Sequence, residues 1–111
     1  MPTITRDGAV FLADFLPRVA EQERCRVVEI GIVTTHVHLL LRIHPMATLP
    51  KLIQRLKGGS SAIGRRDHQL KFRWEAGYNI ESVSVGALPQ VGAYVVNQHR
   101  RHPEQAIEGW P

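Results

Sequence analysis

Cysteine is nearly absent from this sequence: Cys25 is the single one among 111 residues. An internal disulfide is therefore impossible, and one thiol cannot by itself build a zinc site. Long apolar runs are missing too. The stretch from Val37 to Leu41 is broken by His38 and followed at once by Arg42, far short of the roughly 18 residues a membrane span requires. The first residues, Met-Pro-Thr-Ile-Thr-Arg-Asp, lack the basic head and apolar stretch of a signal peptide, so the expected location is the cytoplasm, with no membrane partner. Internal repeats, linker-like segments and low-complexity tracts are likewise missing. A composition of 43% hydrophobic and 22% charged residues excludes a disordered or fibrous chain. The length predicts one domain over 1–111.

Charge is plentiful and uneven. Fourteen Lys and Arg against ten Asp and Glu give a net +4 and a pI near 9.8. The excess is concentrated in Lys51, Arg55, Lys57, Arg65, Arg66, Lys71 and Arg73, with Asp67 the only acid among them. The first thirty residues are close to balanced. A localised basic stripe on a small domain suits a polyanion such as nucleic acid, and it equally suits a solvated helix face.

Hydrophobic spacing predicts the elements. Phe11, Leu12, Phe15, Leu16 and Val19 recur at three and four residues, the stripe of a helix running to about Arg24 and interrupted or bent at Pro17. Residues 26–33 and 36–43 read as strands. The short Thr34-Thr35 joint makes them an antiparallel hairpin. Thr48 is placed to cap a second helix that buries Leu49, Leu52, Ile53 and Leu56, and Gly58-Gly59 either ends it or allows a close approach. Residues 80–85 alternate as a further strand. A last helix follows Gly86, packs through Leu88, Val91 and Val95, and frays near His102-Pro103. The order predicts an α+β fold, with helices packed on an antiparallel sheet.

Two sets of side chains can carry chemistry. On the second strand, Val37, Leu39, Leu41 and Ile43 face one way, whereas His36, His38 and Arg42 face the other. Imidazoles at i and i+2 lie about 6–7 Å apart at the backbone, close enough to share a cation, although paired surface histidines give the same pattern. On the last helix, Tyr94 and Gln98 are four residues apart and project side by side. Gln98 offers a neutral oxygen as a third ligand. Tyr94 offers a nucleophile that can attack phosphorus, although a half-buried aromatic beside a surface amide is the plainer meaning. Imidazole and amide-oxygen donors suit Mg²⁺ or Mn²⁺.

At this point the chain resembles a family. Thr35-His36-Val37-His38-Leu39-Leu40-Leu41 is similar to the His-hydrophobic-His signature of HUH single-strand nucleases. More closely, it resembles the small one-tyrosine transposases of the simplest bacterial insertion sequences and their repeat-associated relatives. Leu52-Ile53-Gln54-Arg55-Leu56-Lys57-Gly58-Gly59-Ser60-Ser61, Arg73-Trp74-Glu75-Ala76-Gly77-Tyr78, Glu81-Ser82-Val83 and Tyr94-Val95-Val96-Asn97-Gln98 extend the likeness in the same order. The resemblance implies a ferredoxin-like antiparallel sheet with helices on one face. It implies cleavage and rejoining of single-stranded DNA, presented as hairpin ends, through a 5′-phosphotyrosine at Tyr94. It also implies a divalent metal, Mg²⁺ or Mn²⁺, on His36, His38 and Gln98, and a homodimer. Lys51, Arg55, Lys57, Arg65, Arg66 and Arg73 would then contact DNA phosphates, with Trp74 and Tyr78 available for base stacking, although Trp74 suits a place in the core equally well.

The sequence departs from the family in two places. Thr34-Thr35 stand where the family commonly has Pro followed by Asn or Asp, which removes the usual polar partner of the first histidine. The opening strand is short or missing, so the chain reads as shortened at its N-terminus. The alternative to an enzyme is a non-catalytic nucleic-acid-binding α+β domain, descended from such an enzyme or merely shaped like one. His99 and His102, beside Arg100 and Arg101, read as a basic helix end. Cys25 reads as a semi-buried thiol, and Glu75 and Glu81 as surface charge.

Overall fold

The computed structural model describes residues 3–72, 74 and 82–110. Helix α1 (Arg6–Gln22) forms where the apolar spacing predicts it. Thr5 precedes it in extended conformation, and its Oγ1 accepts from the Gly8 N–H at 3.3 Å. Asp7 adds negative charge to the first turn, so an acceptor and an anion meet the free amides of the helix start. Pro17 lies inside α1 without ending it. Its ring removes one amide donor, a loss offset by burial of Leu12, Leu16 and Val19 on the same helix.

The chain then turns through Arg24, whose φ of 61° is left-handed, into β1 (Arg26–Ile32) and β2 (Val37–Arg42). These strands form the expected antiparallel hairpin, in register from Ile32 opposite Val37 to Arg26 opposite Arg42. The Val33 N–H donates to the His36 carbonyl at 3.0 Å and closes the turn around Thr34-Thr35. An irregularity between Val27 and Glu29 inserts one residue, Val28. Because side chains alternate, that insertion returns Val27 to the apolar face opposite Leu41.

Helix α2 (Leu49–His68) begins after Thr48, as predicted, but the threonine side chain makes no capping bond. Pro50 occupies the second helical position, where one of the two amides that a capping oxygen accepts from is therefore missing. The helix continues through Gly58-Gly59. A Cβ on Gly59 would lie 3.1 Å from the Phe15 ring, so the glycine permits close packing of α2 on α1. Together α1 and α2 bury Leu12, Leu16, Val19, Leu52 and Leu56 with Ile32, against which Ile30, Val37, Leu39 and Leu41 pack. This is the predicted helical layer. Trp74 joins its margin: the indole stacks on Phe72 and its Nε1–H donates to the buried Ser60 Oγ at 2.8 Å, a structural role.

A second layer lies on the opposite face of the hairpin. Helix α3 (Leu88–Val96) crosses it, followed by the short α4 (Gln98–Arg101). The predicted single helix is thus divided at Asn97. Single 3₁₀ turns, Val85–Ala87 and Pro103–Gln105, flank the pair. Of the strand expected over 80–85, Ile80 and Glu81 lie outside the described residues. Positions 82–84 carry no strand pairing, and Val85 opens the first 3₁₀ turn.

The sheet has two strands among the described residues. Where an opening strand was expected to be short or missing, Ile4 makes one backbone bond, its N–H donating to the Thr34 carbonyl at 2.8 Å. Thr34 in turn donates to the Gln105 carbonyl at 2.8 Å, so both ends of the described chain meet the hairpin tip. Among the described residues, no helix is long and apolar enough to cross a membrane.

Gly31 decides how near α3 can come. A Cβ at this position would lie 1.7 Å from the Val95 carbonyl oxygen. A backbone atom cannot rotate aside as a side chain can, so only glycine is compatible with this approach. Gly31→Ala is expected to lower unfolding free energy by about 3 kcal/mol, the upper end of the usual overpacking cost. Urea denaturation measures this.

Candidate functional site

The face that α3 covers is the histidine face. Gly31 is the cross-strand partner of His38, and Glu29 that of Leu40. A Cβ on Gly92 of α3 would lie 3.5 Å from Glu29 Cγ and 3.8 Å from Leu40 Cδ2. Leu40 is accordingly buried there, although it shares its face with His36, His38 and Arg42. At the other end of the contact, the missing side chain of Gly31 lets Gln98 in: a Cβ there would be 3.3 Å from Gln98 Cγ. Gln98 thus comes to rest across the hairpin from His38.

Three of the four predicted centres meet as neighbouring rings. The imidazoles of His36 and His38 have centroids 6.1 Å apart. A cation about 2 Å from each of two ring nitrogens sits roughly 3.3 Å from each centre, so rings up to about 6.6 Å apart can share it. The Tyr94 and His38 rings form a T-shaped pair, with centroids 6.3 Å apart and planes at 88°. Tyr94 is 41% exposed, which leaves its ring reachable from solvent.

Gln98 is 1% exposed. Its Nε2 donates to the Tyr94 carbonyl at 2.8 Å, which fixes which end of the amide is the donor. The other end, Oε1, is buried with no hydrogen-bond partner among the described residues. An orphaned buried acceptor is costly, and a cation would satisfy it. Among the described residues no three His, Cys, Asp or Glu side chains cluster as a metal site; this amide oxygen is the third donor that the described residues offer beside the two imidazoles. Two imidazoles and one amide oxygen fit Mn²⁺ or Mg²⁺.

The histidines are held differently. Thr35 Oγ1 lies 2.7 Å from His36 Nδ1. The polar partner that the sequence comparison with the family found missing is therefore supplied by threonine: when Nδ1 donates to this hydroxyl, Nε2 is left as the free lone pair. His38 is half-buried. Burial, and then the positive fields of His36 and His102, hold its pKa below the ordinary histidine value. A neutral imidazole is the ligating form.

The basic stripe is partly occupied within the fold. Arg55 donates to Glu23 Oε2 at 2.6 Å and to Gln22 Oε1 at 2.5 Å, and Lys51 lies 3.5 Å from Glu23 Oε1. These contacts tie α2 to the end of α1. Arg66 is paired with Asp67 at 2.8 Å. Arg65 is exposed, Lys57 is half-exposed, and Arg73 lies outside the described residues, as does Tyr78. A groove lined by Phe15, Val19, Gln54, Arg55 and Gly58 runs between α1 and α2, on the other side of the sheet from the histidines.

Sequence reasoning passed over two contributors. Gly31 carried a signal, since an isolated glycine inside a strand marks close backbone approach. Arg101 carried none beyond its charge, yet its guanidinium carbon lies 4.5 Å from the centre of the Tyr94 ring.

Comparison with known proteins follows the same lines. The family model described as "Transposase IS200 like" matches residues 2–98. The ISDra2 transposase TnpA of Deinococcus radiodurans is 33% identical over 98 residues, covering 79% of this chain and 68% of that protein. A crystal structure from the same species, provisionally assigned as a transposase, superposes with a TM-score of 0.62 over 96% of this chain and 86% of the other. At 23% identity, that likeness shows the fold.

Two pH effects follow. Because its folded pKa is lowered, His38 contributes stability that is complete above the ordinary histidine pKa and is lost as pH falls through the folded value. Its NMR titration midpoint is expected below that of free histidine and to rise in His36→Ala, which removes a like charge. The Glu23 carboxyl is held below the ordinary range, chiefly by the Arg55 hydrogen bond. Its contribution is present above the ordinary glutamate pKa and is lost as pH falls through the lowered one. Glu23→Gln is expected to flatten the acid limb of a plot of Tm against pH.

Proposed function

Because the chain belongs to the IS200-like transposase family, we propose that it cleaves and rejoins single-stranded DNA by metal-dependent chemistry through a 5′-phosphotyrosine at Tyr94. The observation that carries this reading is the Gln98 amide. It is buried at the foot of the Tyr94 turn, bonded to the Tyr94 carbonyl by one end and, among the described residues, unsatisfied at the other. A surface amide beside a core tyrosine would have no need of that arrangement.

The chemistry assigned to each residue is as follows. The Tyr94 phenol oxygen attacks the phosphorus of a backbone phosphodiester. A tyrosyl O–P bond forms as the bond to the 3′-oxygen breaks; the phenol loses its proton, and the departing oxygen gains one to become a free 3′-hydroxyl. Rejoining is the reverse, with a 3′-hydroxyl attacking the phosphotyrosine and releasing the phenol, so no high-energy cofactor is consumed. His36, His38 and Gln98 would hold the divalent ion, which supplies positive charge to the phosphate oxygens as negative charge builds on them. Thr35 orients His36. His38, held neutral by burial, keeps its lone pair available and its ring against Tyr94.

Binding is assigned to the basic side chains that Glu23 does not engage. Lys57, Arg65, Arg66 and Arg73 would follow the DNA backbone, a contact that weakens with salt. Lys51 and Arg55 would contribute field more than contact, since Glu23 already engages both. A homodimer fits the hairpin, because the outer edge of β2 has no strand partner among the described residues and an open edge invites one.

The test is covalent capture. Labelled single-stranded oligonucleotides carrying the hairpin ends that flank the coding sequence, incubated with Mn²⁺, are expected to yield a protein–DNA adduct. Tyr94→Phe should abolish it without changing DNA affinity. His36→Ala, His38→Ala and Gln98→Leu should each weaken Mn²⁺ binding measured by calorimetry. DNA binding without any adduct from the wild-type protein would instead establish a non-catalytic binding domain.

A further inference from the structure

Arg101 sits at the end of α4, and its charge has no part in the chemistry assigned so far. Its backbone N–H and that of Arg100 both donate to the Asn97 carbonyl, at 3.2 and 3.0 Å, which fixes the short helix after the break. From there the Arg101 guanidinium reaches back over the Tyr94 ring, 4.5 Å from its centre. This is a cation–π contact. No acidic side chain pairs with Arg101 among the described residues, and it is exposed. Its neighbour His102 lies 3.8 Å from Glu104, so that acid is directed to the histidine.

The geometry points to Arg101 as a second functional group of the nucleophile. It holds the Tyr94 ring in place and donates N–H groups to the nonbridging oxygens of the phosphate that becomes joined to that ring. This assignment rests on the phosphotyrosine reading above. The phosphorus of a phosphate bonded to the phenol oxygen stands two bonds beyond the ring, beside a guanidinium already lying over the ring face. Arginine's planar fork of donors matches two phosphate oxygens at once, and lysine's point charge does not. The tyrosine therefore meets His38 in a T-shaped contact and Arg101 over its face, and two cationic centres, the metal position and the guanidinium, would flank the same phosphate.

The experiment uses the full chain with Mn²⁺ and the same hairpin oligonucleotides. Arg101→Gln is expected to slow adduct formation at saturating DNA by about 100-fold, the usual effect of removing one donor to developing charge. DNA affinity should change by no more than about threefold, as for one lost phosphate contact, and Mn²⁺ affinity should stay constant. Arg101→Lys should restore part of the rate. Added methylguanidinium, but not sodium chloride at equal ionic strength, should rescue Arg101→Ala, which a purely structural role would not allow. Arg100→Gln removes the same charge one residue away and should lose rate only in proportion to affinity. Equal rates for wild type and Arg101→Gln, or a loss matched by lost affinity or mirrored in Arg100→Gln, would overturn the Arg101 assignment alone. A wild-type protein that forms no adduct would overturn the phosphotyrosine reading and this assignment with it.

Discussion

The contact between Gly31 and the Val95 carbonyl governs the arrangement of the rest. Two layers of helix enclose one hairpin, and the layer carrying Tyr94 and Gln98 can descend only where a strand residue has no side chain. That residue is paired with His38, so the point of closest approach is also where the imidazole emerges. A side chain at position 31 would lift α3 from the sheet. The amide oxygen and the phenol would then be separated from the histidines together, because one backbone contact positions both.

The break at Asn97 follows the same logic at smaller scale. A regular helix presents residues four apart on one surface, with their side chains reaching outward. Here the Gln98 side chain instead folds back onto the Tyr94 carbonyl, and the following turn starts afresh from the Asn97 carbonyl. The amide is thereby buried, and its acceptor has no partner among the described residues. Glutamine is suited to this place because it carries a donor and an acceptor on one rigid plane; a carboxylate would set an anion against the carbonyl.

Electrostatics on the two sides of the sheet differ in purpose. On the α1–α2 side, Glu23 draws Lys51 and Arg55 into contacts that join the helices, so part of a stripe that looks like a nucleic-acid surface serves the fold. On the α3–α4 side, His38 and Arg101 both lie against the Tyr94 ring, His36 lies beside His38, and Glu104 pairs with His102.

Much of this was legible in the chain alone. Periodicity set α1, the hairpin and α2, because burial of an apolar stripe is a local matter of spacing: Leu12, Leu16 and Val19 on one, Val37, Leu39 and Leu41 on another. Alternation put His36 and His38 together, and a four-residue interval associated Tyr94 with Gln98. Spacing could not foresee the cap that Pro50 denies to Thr48, the continuation of α1 through Pro17, or the division of the last helix at Asn97, since each depends on competition with packing elsewhere. Nor could it separate Lys51 and Arg55, engaged by Glu23, from Arg101, engaged by a ring. Which face of the hairpin received the last helix, and how near it came, was decided only in three dimensions, because that distance is set by atoms from strands and helices more than sixty residues apart.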